Sequence, residues 1–348
     1  MHLIVITYAF DSESMLFSHQ SKLVNSLAAY FSKVTVLTRG QVRGFQPKNI
    51  AVKTFMPNGR YSQLTFLLWL NYQLLTLVFR RSDVVVFSHM HESASAAVGP
   101  LLKFLNKKHV LWYAHKAAPL RLRLAAILVN DIITSTKGSF TLKTGKLHVV
   151  GQAVDPSQFN GSTLRRKYKF KSWCHVGRLD ESKNLRLIID NFIGFLKSHP
   201  NSQLTFYGEV SSNYESTYLN SVREDYAEFI DSGEIIFAGK VQNSELASCL
   251  SKHDLFVHAF AGSLDKTLIE ATLSLLPVVT INKEYLSEFG AWNTTKPVAF
   301  HDEIEYLQKL SSENIEKILM ARKKHALQFH SLDSWLPKVV SILRSELT

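Results

Sequence analysis

Cysteine is scarce in this chain: Cys174 and Cys249 are the only two among 348 residues. Two distant thiols build no disulfide framework and have no metal-ligand spacing, so a reduced, cytosolic chain is expected. Long apolar runs are missing too. The longest, LTFLLWLNYQLLTLVFRR at 64–81, is interrupted by Asn71 and Gln73. It falls short of the roughly twenty clean residues that span a bilayer, and reads as a largely buried helix. The first residues, MHLIVITYAF, lack the basic region and small-residue cleavage site of a signal peptide and read as a buried strand. No Gly-x-Gly-x-x-Gly, Walker loop or nucleophile elbow occurs, which removes the strongest support for a dinucleotide oxidoreductase or an ATPase. Acidic residues are rare in one half. Residues 1–160 carry 6 Asp and Glu against 18 Lys and Arg, whereas the remainder carries 23 against 22. So uneven a charge describes partners: nucleic acid, anionic lipid headgroups or a phosphorylated substrate.

What is present is a repeated grammar. At 46% hydrophobic and 20% charged residues the chain is globular, and its length suits two domains of roughly 150–190 residues. Apolar stretches such as HLIVITYA, KVTVLTR, SDVVVFSH and KHVLWYAH alternate with amphipathic segments such as SHQSKLVNSLAAYFS, where Leu23, Leu27 and Phe31 share a face. SWCHVG, QLTFYGE, EIIFAGKV, DLFVHAF and PVVTIN continue the pattern with helices between them. Continuous apolar strands between helices predict parallel sheets covered on both faces. The expected fold is α/β, with two doubly wound Rossmann-like domains facing across a cleft. The domains are read as 1–160 and 161–330, with the boundary in the polar, basic stretch 155–171. Residues 331–348 form a C-terminal helix that crosses back to the first domain. Ligands of such folds bind beyond the carboxyl ends of strands, so functional side chains are sought there.

Arg178 and Lys183 follow SWCHVG in a strand-to-helix loop, where two cations beside a helix N-terminus suit a diphosphate. The alternative is a solvated loop in which they pair with Asp180 and Glu181. GSLDKTLIEA follows DLFVHAF in the same way. There Ser263 or Asp265 caps a helix, Lys266 lies in its first turn, and Glu270 sits among apolar neighbours. An enclosed carboxylate needs donors, which two ribose hydroxyls supply; the alternative is a pairing with a nearby lysine. His115 and Lys116 end VLWYAHK, where a histidine either contacts substrate and shifts a proton or serves structure. His89 and His91 are weaker candidates. Their spacing suggests metal, but no further ligand completes a site, and no metal is expected.

These stretches together resemble glycosyltransferase family 4. HVGRLDESKNLRLIIDNF is similar to its phosphate-binding segment, VVGQAVDPSQF to the end of its first domain, and GSLDKTLIEATLSLLPVV to its donor-binding segment. The resemblance implies a GT-B fold whose C-terminal domain binds a nucleotide sugar and whose N-terminal domain takes the acceptor. It implies that Arg178 and Lys183, following Gly177, neutralise the diphosphate, so the donor is a substrate and no cofactor or metal is required. Glu270 would hold the ribose, with Ser263, Asp265 and Lys266 beside it. Lys240 and Val241 would lie near the base. His115 would contact the sugar, and configuration would be retained. The family's first glutamate is Gly262 here, so sugar recognition departs from the family at that point. Its glycine-rich first loop is also missing, leaving the backbone at Ser14 and Met15 to approach the diphosphate.

The expectation is a peripheral enzyme on the cytoplasmic face of the cell membrane. It would move a sugar to a lipid-linked or saccharide acceptor in surface polysaccharide or glycolipid synthesis. The basic half would face an anionic membrane. Alternatives are a soluble transferase acting on a small molecule or protein, and a catalytically inactive binding or scaffold subunit. A nucleic-acid partner is not expected, since basic runs such as LRRKYKFKSW are usually solvated.

Overall fold

The structure, a computed structural model, describes residues 1–13, 18–40, 42–55, 63–79, 81–164, 168–210, 212–293 and 300–346. The chain divides into two compact units: Met1–Ala153 with Leu332–Thr348, and Val154–Ser331. In the first, the elements run β1 (His2–Ile6), β2 (Phe10–Asp11), α1 (Ser18–Ala28), β3 (Lys33–Arg39), β4 (Val42–Arg43), β5 (Ile50–Phe55) and α2 (Gln63–Val78). They continue with β6 (Val84–His89), α3 (Glu92–Phe104), β7 (Lys108–Trp112), α4 (Leu120–Leu128), β8 (Asp131–Thr134) and β9 (Leu147–Val149). The second unit holds β10 (Ser172–Val176), α5 (Leu185–Leu196), β11 (Gln203–Tyr207), α6 (Asn213–Asp225), α7 (Ala227–Asp231), β12 (Ile235–Gly239) and α8 (Leu246–Ser251). It continues with β13 (Leu255–His258), α9 (Lys266–Leu273), β14 (Val278–Thr280), α10 (Lys283–Phe289), α11 (Phe300–Lys309) and α12 (Ser312–His330). The chain then returns to the first unit as α13 (Leu332–Arg344).

Both main sheets are parallel. The first has the order β5-β3-β1-β6-β7-β8-β9 and the second β12-β11-β10-β13-β14. Every residue of β1 and β6 is buried. Their side chains alternate between two helical layers, as the pleat requires. Leu3, Val5, Val85 and Phe87 pack with Leu23 and Leu27 of α1 and with Trp335 and Val339 of α13. Ile4, Ile6, Val84 and Val86 pack with Phe66 and Leu70 of α2 and Val98 of α3. The second unit repeats this around its central strand. Trp173 of β10 joins Leu185, Ile188 and Phe192 of α5, while Cys174 joins Leu268, Ile269 and Ala271 of α9. This is the doubly wound α/β fold expected from the apolar runs, present in each unit.

One reading needs correction. The segment 64–79 is a helix, but only one face is buried: Phe66, Leu70, Leu74 and Val78. Leu64, Leu68 and Tyr72 are more than 60% exposed, and Leu75 and Phe79 are exposed as well. The run is apolar all round while its neighbours cover one side only. One strand, β5 in IAVKTF, is not among those singled out from the sequence; it is an edge strand whose residues are mostly half-buried. Lying at the rim, it needs no continuous apolar run, so its sequence gives a weak strand signal.

Candidate functional site in the second unit

The order of the second sheet reverses between β10 and β13: the chain runs from β10 to β11 on one side, and from β13 to β14 on the other. Loops leaving the carboxyl ends of two such neighbours diverge, and the space between them is where doubly wound folds bind ligands. The candidate segments are these two loops, residues 177–184 after β10 and 259–265 after β13.

The first loop is tied to its neighbours by the backbone. Gly177 N–H donates to the Tyr207 carbonyl at 3.0 Å, and Leu179 N–H to that of Glu209 at 3.2 Å. Gly208 makes this approach possible, because a Cβ there would lie 1.8 Å from the Gly177 carbonyl oxygen. The short 3₁₀ turn Glu181–Lys183 ends at Asn184, whose φ of 50° is left-handed, and α5 begins at once. Asparagine tolerates that conformation better than most residues.

Lys183 is buried, and its ammonium ion-pairs with Asp265 of the other loop. It also lies 4.0 Å from the centre of the Phe260 ring, a cation–π contact. Asp265 accepts a second bond from His258 Nε2 at 3.2 Å, and His258 Nδ1 meets Thr280 Oγ1 at 3.2 Å. Burial alone would raise the Asp265 pKa, but the Lys183 and His258 side chains hold it well below the usual carboxylate range. Burial lowers the His258 pKa despite this carboxylate. Its neighbour His175 is pushed down to about 3 by burial; among the described residues its Nε2 has no hydrogen-bond partner, and it lies 3.2 Å from where a Gly177 Cβ would stand.

Glu270 is buried on α9 and pairs with Lys266, one turn earlier, at 2.8 Å. Ser263 is buried, and Asp265 occupies the N-cap of α9 without bonding its backbone. Leu268 N–H donates to the Asp265 carbonyl at 3.3 Å, and the Asp265 side chain caps neither of the two N–H groups before it, at Lys266 and Thr267, where an anion would be favoured. Arg178 is half exposed and pairs with Asp180 at 2.9 Å and Glu215 at 3.5 Å. Lys240 pairs with Glu209 at 3.4 Å. A hollow of about 290 Å³ opens beside them, lined by Gly208, Glu209, Arg223, Phe237 and Gly239 among others. Val241 is half-buried and packs on the core beneath α8 and α9.

Sequence reasoning missed three participants. Asn282, fully buried, donates from Nδ2 to the Phe260 and Ser263 carbonyls at 2.9 and 3.1 Å, and accepts from Tyr285 N–H. It thereby clasps the 259–265 loop to the start of α10. Phe260 fills the space next to Gly262, where a Cβ would fall 2.1 Å from the ring. His258 looked like an ordinary strand residue in DLFVHAF. None has a local signal, because each acts on residues brought near by the sheet.

The first-unit candidates stand apart from one another in role. His115 is exposed after β7, its Nδ1 accepting from Ala117 N–H at 3.0 Å. Lys116 lies beside it, its carbonyl accepting from Thr141. His89 is buried against Trp112, and burial lowers its pKa to about 4. His91 caps α3 by accepting from Ala94 N–H, and stacks on Tyr8 at 4.0 Å. Both histidines thus serve the core and a helix start. Ser14 and Met15 lie outside the described residues.

Comparison with known proteins bears on this geometry. Residues 162–320 match the family model for glycosyl transferases group 1. Over 155 residues, 41% of this chain and 34% of the other, the chain is 28% identical to mannosylfructose-phosphate synthase from Agrobacterium fabrum; it thus covers about a third of that enzyme. The fold is similar to that of Anabaena Alr3699/HepE, solved with UDP and glucose, with a TM-score of 0.76, 13% identity and 99% of each chain covered. It is also similar to a UDP-forming α,α-trehalose-phosphate synthase from Burkholderia vietnamiensis, with a TM-score of 0.73, 14% identity, and 99% of this chain and 100% of that one covered.

Proposed function

We propose that this chain, a glycosyltransferase whose residues 162–320 belong to group 1 and whose two α/β units have the GT-B fold, transfers a sugar from a nucleotide-diphosphate sugar to a lipid-linked or saccharide acceptor. The observation that carries the reading is Lys183, an ammonium enclosed where β10 and β13 diverge. An ammonium has three donors, and Asp265 occupies one, so two remain for diphosphate oxygens. Arg178, half exposed, exchanges its carboxylate partners for phosphate with little change in burial. Together they neutralise the departing nucleoside diphosphate, the electrostatic part of the catalysis. No metal ion takes part in that step. Glu270 turns from Lys266 to the ribose hydroxyls, and the nucleoside base enters the hollow beside Gly239 and Lys240. The UDP and UDP-glucose complexes of HepE support a donor of this class. The family resemblance supports retention of configuration. A thermal-unfolding screen of UDP-, GDP- and dTDP-sugars tests the donor claim. One base should raise the melting temperature, and Lys183→Ala or Glu270→Ala should abolish the rise. No rise with any donor would sink the reading.

The acceptor is assigned to an anionic membrane surface on its cytoplasmic face, where polysaccharide or glycolipid precursors are presented. No helix among the described residues is long and apolar enough to cross a membrane. In the first unit α2 packs on α3 and α3 on α4, giving one helical layer. Leu64, Leu68 and Tyr72 of α2 and Leu120, Leu124 and Ile127 of α4 are exposed on it. Apolar side chains on a unit whose residues 1–153 carry 18 Lys and Arg against 5 Asp and Glu suit interfacial binding. Sedimentation with anionic vesicles should show salt-sensitive binding that Leu68→Glu weakens; equal pelleting with neutral vesicles would refute it.

A further inference from the structure

Glu288, His325 and His330 lie together in the second unit, away from the loops just described. Glu288 is near the end of α10; His325 and His330 lie on the last turns of α12. Their Oε2, Nε2 and Nε2 atoms fall within 4.8 Å of one another. His325 Nε2 is 3.1 Å from Glu288 Oε2, and His330 Nε2 is 3.6 Å from the same oxygen. We propose that these three side chains form a binding site for a divalent transition ion of the zinc class.

An ordinary ion-pair cluster leaves one group poorly satisfied. The His330 side chain is only 2% exposed, yet among the described residues its Nδ1 has no hydrogen-bond partner and its Nε2 faces only Glu288 Oε2, at 3.6 Å, beyond hydrogen-bond distance. A buried imidazole held by one long ion pair alone is rare, because stripping water from it is costly unless another atom takes the lone pair. A metal ion takes it. Two imidazoles and one carboxylate form a donor set suited to zinc. Ligands standing about 2.0–2.1 Å from a tetrahedral ion are about 3.3 Å apart, and the two measured edges lie on either side of that value. Phe289 sits against both rings, at 5.0 Å from His325 and 5.6 Å from His330, and limits how they turn. His325 and Glu288 are about a third exposed, which leaves an approach for the ion and room for a water as fourth ligand.

The ion would clip the end of α12 to α10, one residue before the chain leaves this unit at Ser331. α12 packs on α9, the helix that carries Glu270, so the clip steadies the donor site from behind. The site does not depend on the donor reading. The i, i+5 spacing of the histidines matches no short metal motif.

Full-length protein without a histidine tag, stripped with chelator, would be titrated with Zn²⁺ by calorimetry and with Co²⁺ by visible absorption. The expected result is one tight equivalent per chain and a tetrahedral Co²⁺ spectrum. At a hundredfold excess of Zn²⁺ over its dissociation constant the melting temperature should rise by roughly 5–10 °C. His325→Ala and Glu288→Gln, both at partly exposed positions, should each weaken Zn²⁺ binding by at least about tenfold while keeping the far-ultraviolet dichroism of the parent. Absence of a stoichiometric equivalent, or binding of undiminished strength in both variants, would overturn the assignment.

Discussion

Replacing Asp265 by asparagine removes one charge from the loop pair and almost no volume. Lys183 is then left with a side chain 8% exposed and no counter-charge. Removing one member of a buried pair costs about 3–5 kcal/mol, because the survivor remains desolvated. Asp265 is 19% exposed and the amide keeps an acceptor oxygen, so about 2–3 kcal/mol is expected here. Adding Lys183→Met removes the second charge and leaves an apolar chain over Phe260. The double variant should therefore recover to within about 1 kcal/mol of the parent, as apolar replacement of a buried pair generally allows. It should still fail to bind a nucleotide sugar, since the cation is gone. Urea unfolding followed by fluorescence, with Trp173 and Trp292 reporting from the second unit, gives the stabilities; donor-induced stabilisation gives the binding. If Asp265→Asn lies within about 0.5 kcal/mol of the parent, or the double variant is as unstable as the sum of the singles, the pair does not hold the loops as described.

Two further outcomes follow from the same geometry. Gly208→Ala would place a Cβ 1.8 Å from the Gly177 carbonyl oxygen, a backbone atom that cannot swing aside. It should cost more than about 3 kcal/mol in urea unfolding, and a stability near the parent's would show that the first loop is not held as close as described. Acid should destabilise both units through buried neutral histidines. Burial lowers His89 to about 4, and His109 and His175 to about 3, against 6.5 in an unfolded chain. Between pH 6.5 and about 4 the unfolded chain binds protons that the fold refuses. Stability is therefore fully present above pH 6.5 and falls with pH, by about 1.4 kcal/mol per pH unit for each histidine. A urea midpoint unchanged from pH 7 to 5 would refute this.

The fold class was legible because it is written locally. VVVFSH and HLIVI are apolar at consecutive positions, which only a strand covered on both faces tolerates. The same logic located Lys183 and Glu270, which lie just beyond such strands. What stayed illegible depends on neighbours supplied by the fold. Asp265 pairs with Lys183, 82 residues away in sequence, and Asn282 reaches back about twenty residues to the Phe260 loop. The burial of one face of α2 and the exposure of the other follow from where α3 lies; its own residues are apolar on both.

The contact between Phe260 and Gly262 makes the two positions interdependent. A side chain at 262 would collide with a ring held beneath the Lys183 ammonium. A larger residue at 262 is accommodated only if the Phe260 ring swings aside or is shortened, and either change takes the cushion from the lysine. The order in which 260 and 262 are substituted therefore decides whether the intermediate keeps the Lys183 contact.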